Sequence, residues 1–173
     1  MFKIALYLLI AVVLAIFLLP FFYTVSPYEL DPTKILQAPT LEHLFGTDRL
    51  GRDMLARVLN GGQTSLIIGF LAASISSIVG LFIGINAGYF KGNIDKTITI
   101  MIDLFLTFPT FFLLLALVSY IQASALILII VISVTGWMGM ARMIRSESFA
   151  IGNKPFIKIL KVANVSTFKI IFK

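Results

Sequence analysis

The sequence predicts an all-α integral membrane protein, a helical bundle of about four transmembrane helices. Three observations carry that prediction. Of 173 residues, 59% are hydrophobic and only 13% charged, about half the charged share of a soluble domain. The mean hydropathy is +1.02, more apolar surface than a water-soluble core can hide. The apolar residues also gather into runs long enough to span a bilayer, separated by short polar segments.

Residues 4–22 form the first run, preceded by Lys3. The run exceeds the apolar region of a signal peptide, and Pro20-Phe21-Phe22-Tyr23 provides no small-residue cleavage site. Residues 1–23 are therefore read as an uncleaved first span with the N-terminus inside. Tyr23 and Tyr28 suit the outer interface, where aromatic rings straddle apolar and wet zones. Residues 24–63 form an external segment that opens with turn-prone Ser26-Pro27 and Asp31-Pro32. Asp48 is its expected N-cap, followed by a short amphipathic helix over residues 49–60. Leu50, Met54, Leu55, Val58 and Leu59 would form the apolar face of that helix. Arg49, Arg52, Asp53 and Arg57 would form the polar face, with Arg49–Asp53 and Asp53–Arg57 spaced for ion pairs. Such a helix lies on a membrane or protein surface.

Residues 64–140 hold the second, third and fourth spans. The second covers 65–90 and repeats small residues every four positions, at Gly80, Gly84 and Gly88 and again at Gly69, Ala73 and Ser77. That spacing lets helix backbones approach closely where lipid gives no hydrophobic drive for association. Residues 91–96, with Gly92-Asn93, form a short turn. The third span, 97–120, contains Asp103 and Pro109. A carboxylate inside a span is costly and is either a structural partner of a nearby group or a substrate contact; lying near the end of the span, Asp103 is read as structural. Pro109 removes a helix hydrogen bond and is expected to kink the span. The fourth span covers 123–140, with Gly136, Trp137 and Gly139 near its end as packing and interface residues.

Residues 141–173 are basic: Arg142, Arg145, Lys154, Lys158, Lys161, Lys169 and Lys173 are opposed only by Glu147. The external segment is nearly neutral. Basic residues on one side are the positive-inside pattern, which places 141–173 in the cytoplasm and argues against nucleic-acid binding. Phe156, Ile157, Ile159, Leu160, Val162 and Phe168 add apolar residues to this segment that call for a partner surface. Absent cysteine, a single His and the scarcity of carboxylates in the spans leave no metal site, and His43 is read as a surface residue. No nucleophile–base pair and no Gly-x-x-x-x-Gly-Lys-[Ser/Thr] loop is present, so neither catalysis nor ATP binding of that kind is expected of this chain.

The wording of the external segment narrows the function. FGTDRLGRD at residues 45–53, continued by Met54 to Leu66 and by Gln63-Thr64-Ser65 within it, resembles the second-span entry of the permeases of peptide and nickel ABC importers. The subunit class is the dipeptide/oligopeptide permease C-like one. Gly88-Tyr89-Phe90 with Asp95, then Asp103 with Phe108-Pro109, then Gly136-Trp137 with Arg142, Arg145 and Glu147 continue the likeness in order, over residues 44–173. The resemblance implies a permease subunit moving peptides or nickel across the bacterial inner membrane. It implies a second permease subunit, a separate cytoplasmic ATP-binding subunit and an external solute-binding protein as partners, with ATP held by the partner and no cofactor here.

By the same resemblance Asp48, Arg49, Gly51, Arg52, Asp53 and Arg57 face the binding protein or outer gate. Gly80, Gly84 and Gly88 would pack against the homologous permease partner. Phe156, Lys158, Ile159, Leu160, Lys161 and Asn164 lie in a helix–turn–helix that docks on the ATPase. The family's Glu-Ala-Ala and later Gly are replaced here by Lys158, Ile159, Leu160 and Asn164. Asn164 can take the left-handed conformation the Gly would supply. Family members continue through two further spans, so the resemblance also implies missing C-terminal spans; a non-transporting membrane scaffold is the alternative function.

Overall fold

The structure is a computed structural model that describes residues 2–107, 109, 112, 115, 116, 119 and 124–172. The described residues divide into two compact units, Met1–Ile67 and Ile68–Lys173. No strand occurs among them; one isolated bridge joins Thr47 and Asp53. Three helices among them are long and apolar enough to cross a membrane: Phe2–Phe21, Met54–Phe90 and Ala125–Gly152.

The first unit opens with α1 (Phe2–Leu18), extended by a 3₁₀ turn at Leu19–Phe21 in which Pro20 sits at the first turn, where its missing N–H costs nothing. None of the residues of α1 is buried. A helix that is apolar all round and buries nothing belongs in lipid. A second 3₁₀ turn covers Pro32–Lys34, capped by the Asp31 side chain on the Thr33 N–H. α2 then begins at Met54 and runs to Phe90, with its first part in this unit. Gln63 donates its side-chain N–H to the Ile16 carbonyl at 3.1 Å, and Gly62 leaves room for the Ile16 side chain.

The expected surface helix at 49–60 is therefore corrected. Residues 49–53 are loop, and 54–60 are the opening turns of one 37-residue helix that continues through Gly61-Gly62. Two mid-helix glycines cost about 1 kcal/mol each, too little to end a helix supported on both sides. At 1.5 Å per residue α2 is about 55 Å long, well beyond the ~30 Å of a bilayer's hydrocarbon.

In the second unit α2 ends at Phe90, and Lys91 and Gly92 turn the chain with φ of 54° and 58°. α3 (Gly92–Thr107) follows at once, so the expected six-residue turn shrinks to its first two positions. α3 stops at Thr107, before Pro109, which is not helical. Proline lacks a donor and disfavours helix in the residue before it, so Pro109 follows a helix end and does not bend a continuous one. The remainder of the expected third span lies largely outside the described residues. α4 (Ala125–Gly152) starts with a Ser124 cap on the Ile127 N–H and runs past the expected end at residue 140. Residues 141–152 thus continue the same helix. α5 (Pro155–Val162) and α6 (Thr167–Phe172) complete the unit.

α2 and α4 pack along the small-residue stripe. A Cβ at Gly80 would lie 2.8 Å from the Trp137 carbonyl, at Gly84 2.7 Å from the Ala141 carbonyl, and at Gly88 2.6 Å from the Arg145 carbonyl. The sequence expectation placed a second subunit against these glycines; the structure places the chain's own α4 there. Contacts advance together along both helices, so α2 and α4 run parallel. Ser76 extends the stripe by donating to the Ser133 carbonyl at 3.3 Å. The core beside it is Ile102 of α3 with Met138 and Ala141 of α4, backed by Ile83, Ile98 and Trp137.

Candidate functional site

In the first unit, the loop before α2 is built around two aspartates. Asp53, 2% exposed, is the N-cap of α2: its Oδ1 accepts from the Ala56 N–H at 2.7 Å. Its Oδ2 accepts from the Tyr23 hydroxyl at 2.7 Å and from His43 Nδ1 at 2.9 Å. An ionised carboxylate only accepts, so Nδ1 carries the proton. His43 is seated in the loop and not on the surface, and its Nε2 lies 3.2 Å from Lys34 Nζ. Lys34 also pairs with Glu42 at 3.2 Å.

Asp48 does a different job from the cap expected of it. Its Oδ1 accepts from the Leu50 and Arg52 N–H groups at 2.8 and 3.0 Å, closing a turn. Its Oδ2 takes Arg52 Nε at 2.9 Å, Arg52 Nη2 at 2.8 Å and Arg57 Nη1. The expected Arg49–Asp53 and Asp53–Arg57 pairs do not form, because Asp53 is spent on the cap, Tyr23 and His43. Arg49 is exposed without a partner among the described residues. Gly51 has φ of +75°, and a Cβ there would lie 1.8 Å from the Asp31 carbonyl, so only glycine fits. Thr47 Oγ1 accepts from the Gln37 N–H at 2.9 Å and donates to the Lys34 carbonyl.

The electrostatics follow from those contacts. Burial works against the Asp48 anion, but the Arg52 side chain and the Leu50 and Arg52 N–H groups outweigh it and hold the group at about 2. Asp53 is likewise held below its ordinary value despite its burial, by the Ala56 N–H, Tyr23 and His43. Burial, and then donation to the Asp53 anion, push Tyr23 up to about 12. Both carboxylates are thus charged and fully partnered over the neutral range.

In the second unit, the α5–α6 hairpin closes with a Schellman motif. The Val165 N–H reaches the Leu160 carbonyl and the Asn164 N–H the Lys161 carbonyl, both at 3.1 Å. Asn164 has φ of +55°, the left-handed conformation read from its side chain. Ile157, expected to face a partner, is 5% exposed and buried within the chain, lining a cavity of about 230 Å³ with Ile85, Tyr89 and Ile144. Phe156, Lys158 and Ile159 are exposed, Leu160 half-buried. Lys161 is exposed too, yet its Nζ stands 4.3 Å above the Tyr89 ring.

Near the same end, Lys91 Nζ lies 4.4 Å from the Phe149 ring centroid and 2.6 Å from Asn153 Oδ1. Arg145 grips Asp95 with two nitrogens, Nη2 at 2.7 Å. Arg142 pairs with Asp103, so this carboxylate has a partner on α4. These α3–α4 pairs and the Lys161–Tyr89 contact escaped sequence reading. The signal was present, since a carboxylate in a span calls for a cation, but choosing among several arginines needs the fold.

Residues 80–173 match the family described as "Binding-protein-dependent transport system inner membrane component". The chain is 32% identical over 171 residues to the oligopeptide transport system permease protein OppC of Haemophilus influenzae, covering 98% of this chain and 55% of that one. It is 35% identical over 156 residues to OppC of Mycobacterium tuberculosis, covering 89% and 52%. It is 34% identical over 161 residues to the dipeptide transport system permease protein DppC of Alkalihalophilus pseudofirmus, covering 93% and 53%. The chain spans about half the length of the curated relatives it matches.

Proposed function

Because the chain belongs to the family of binding-protein-dependent transport system inner membrane components, a multi-pass membrane family, we infer that it is a permease subunit of a peptide importer driven by a separate ATPase. The names of its relatives favour peptides over nickel. The observation that carries the mechanism is the α5–α6 hairpin. It is short, closed by its own turn motif, tied to α2 through Lys161 and Tyr89, and presents Phe156, Lys158 and Ile159 outward. A partner that grips this face pulls on α2 directly.

In this reading the hairpin lies on the cytoplasmic side and the loop 24–53 outside, facing a solute-binding protein. A second permease subunit completes the pathway. ATP binding on the motor protein favours one of two permease arrangements, and the difference in its affinity for the two shifts their populations.

The test is reconstitution of the chain in liposomes with the second permease, ATPase and binding protein of its system. Peptide-stimulated ATP hydrolysis is expected; hydrolysis indifferent to peptide would favour the non-transporting scaffold. Ile159 is 67% exposed, so Ile159→Asp should change the chain's stability by less than about 0.5 kcal/mol. It should nevertheless abolish the stimulation and release the ATPase on co-purification. Retained stimulation would remove the hairpin from the docking face.

A further inference from the structure

Asp48 holds two guanidinium groups side by side but balances only one of their charges. Its Oδ2 is taken by Arg52 Nε, Arg52 Nη2 and Arg57 Nη1, and its Oδ1 by two backbone N–H groups. The carboxylate is saturated. Arg52 keeps Nη1, and Arg57 keeps Nε and Nη2, without a protein acceptor among the described residues. The two arginine side chains are 26% and 40% exposed, so these donors reach open space. That space is a cleft of about 220 Å³ lined by Pro27, Tyr28, Arg52, Arg57, Asn60 and Gly61. The Tyr28 hydroxyl donates to Asn60 Oδ1 at 2.9 Å, fixing the ring as one wall. No carboxylate lines the cleft, and Asp53 beyond it is already occupied by Tyr23, His43 and the Ala56 N–H.

We propose that this cleft is a carboxylate subsite that takes the C-terminus of a short peptide. A guanidinium presents parallel N–H groups at the spacing of a carboxylate's two oxygens, and the pair of charges around one saturated Asp48 leaves one positive charge for an incoming anion. Asp48 acts as the clamp that orients both arginines before the ligand arrives. The Tyr28 ring and Pro27 offer apolar surface to the side chain next to the carboxylate, and the cleft has room for about one small residue. The choice of peptide as the carrier rests on the importer reading; the carboxylate chemistry rests on the loop alone.

The full chain purified in detergent micelles is titrated, by ligand-detected NMR, with dialanine, with dialanine C-terminal amide and with inorganic phosphate. Dialanine is expected to bind saturably and the amide at least about tenfold more weakly, since it lacks the anion that the guanidinium fork pairs with. Arg57→Gln should lose about as much, and Arg57→Lys, which keeps the charge without the fork, should recover only part of it. Equal binding of dialanine and its amide, tighter binding of phosphate than of dialanine, or an unaffected Arg57→Gln chain would each overturn the proposal. If Arg57→Gln does not fold, the comparison of acid with amide on the unaltered chain decides. The titration uses neither ATPase nor binding protein, so a failure of peptide-stimulated hydrolysis leaves its outcome standing.

Discussion

Replacing Gly84 with valine is expected to force α2 and α4 apart and to lower the unfolding free energy by more than about 2 kcal/mol. A Cβ at this position would lie 2.7 Å from the Ala141 carbonyl oxygen, 2.8 Å from Ile144 Cβ and 3.0 Å from the Arg145 nitrogen. Two of those three atoms are backbone, which cannot step aside by changing rotamer. In lipid the loss is not offset by repacking elsewhere, because close approach and dispersion are what hold two apolar helices together. Gly88→Val should behave alike, with the Arg145 carbonyl 2.6 Å from the added atom. Gly69→Ala is the control: nothing lies within 4 Å of its Cβ, so the change should cost no stability and gain at most about 1 kcal/mol of helix propensity. Trp137, the sole tryptophan, sits at this interface and reports the transition by fluorescence during titration with a denaturing detergent. A Gly84→Val chain that unfolds with the parent would show that the two helices do not pack as described.

Asp53→Ala is expected to loosen the whole loop before α2, at a cost of about 2–4 kcal/mol. The substitution removes the α2 cap and leaves the Tyr23 hydroxyl and His43 Nδ1 without their acceptor. Hydrogen exchange of residues 24–53 reads the loss, and exchange at the parent rate in the variant would refute it. The same readout carries a pH dependence. Asp48 and Asp53 have folded-state values below the ordinary 3.8. Their contribution is therefore present above about pH 4 and is lost as pH falls below it, through about 2 for Asp48. Tyr23 runs the other way. Raised from 10.0 to about 12, its contribution is complete below about pH 10 and is lost as pH climbs through about 12, when the phenolate forms. Protection of the loop should thus fall at both extremes, and Asp53→Ala should shrink both limbs, the acid one to what Asp48 alone supplies.

The helices and the small-residue stripe were legible because period and hydropathy are local properties. The partner of the stripe was not, since Gly80, Gly84 and Gly88 announce a close neighbour without naming it. Their neighbour is α4, some 50 to 60 residues along the chain, and only the parallel arrangement of the two helices reveals that. In the loop, Asp48 and Asp53 are both aspartates just before an apolar run, and both are plausible caps by composition. What separates them is the Gly51 turn pressed against the Asp31 carbonyl, a contact across 20 residues of sequence. Tyr23 reads from sequence as an interface ring, yet its hydroxyl serves Asp53. His43 reads from sequence as a surface residue, because a lone imidazole is a poor metal site; its use as a donor to a buried carboxylate needs no second ligand. Asn164, by contrast, was legible from one residue, because few side chains tolerate the left-handed turn that its φ of +55° shows.

The chain contains no cysteine, so single cysteines report its membrane topology without background. Thr40→Cys in the loop and Lys158→Cys on the hairpin, each in intact cells, would be treated with a membrane-impermeant maleimide. The importer account predicts that Thr40→Cys is labelled at once and Lys158→Cys only after the membrane is permeabilised. Labelling of Lys158→Cys from outside, or of both sites from the same side, would contradict it.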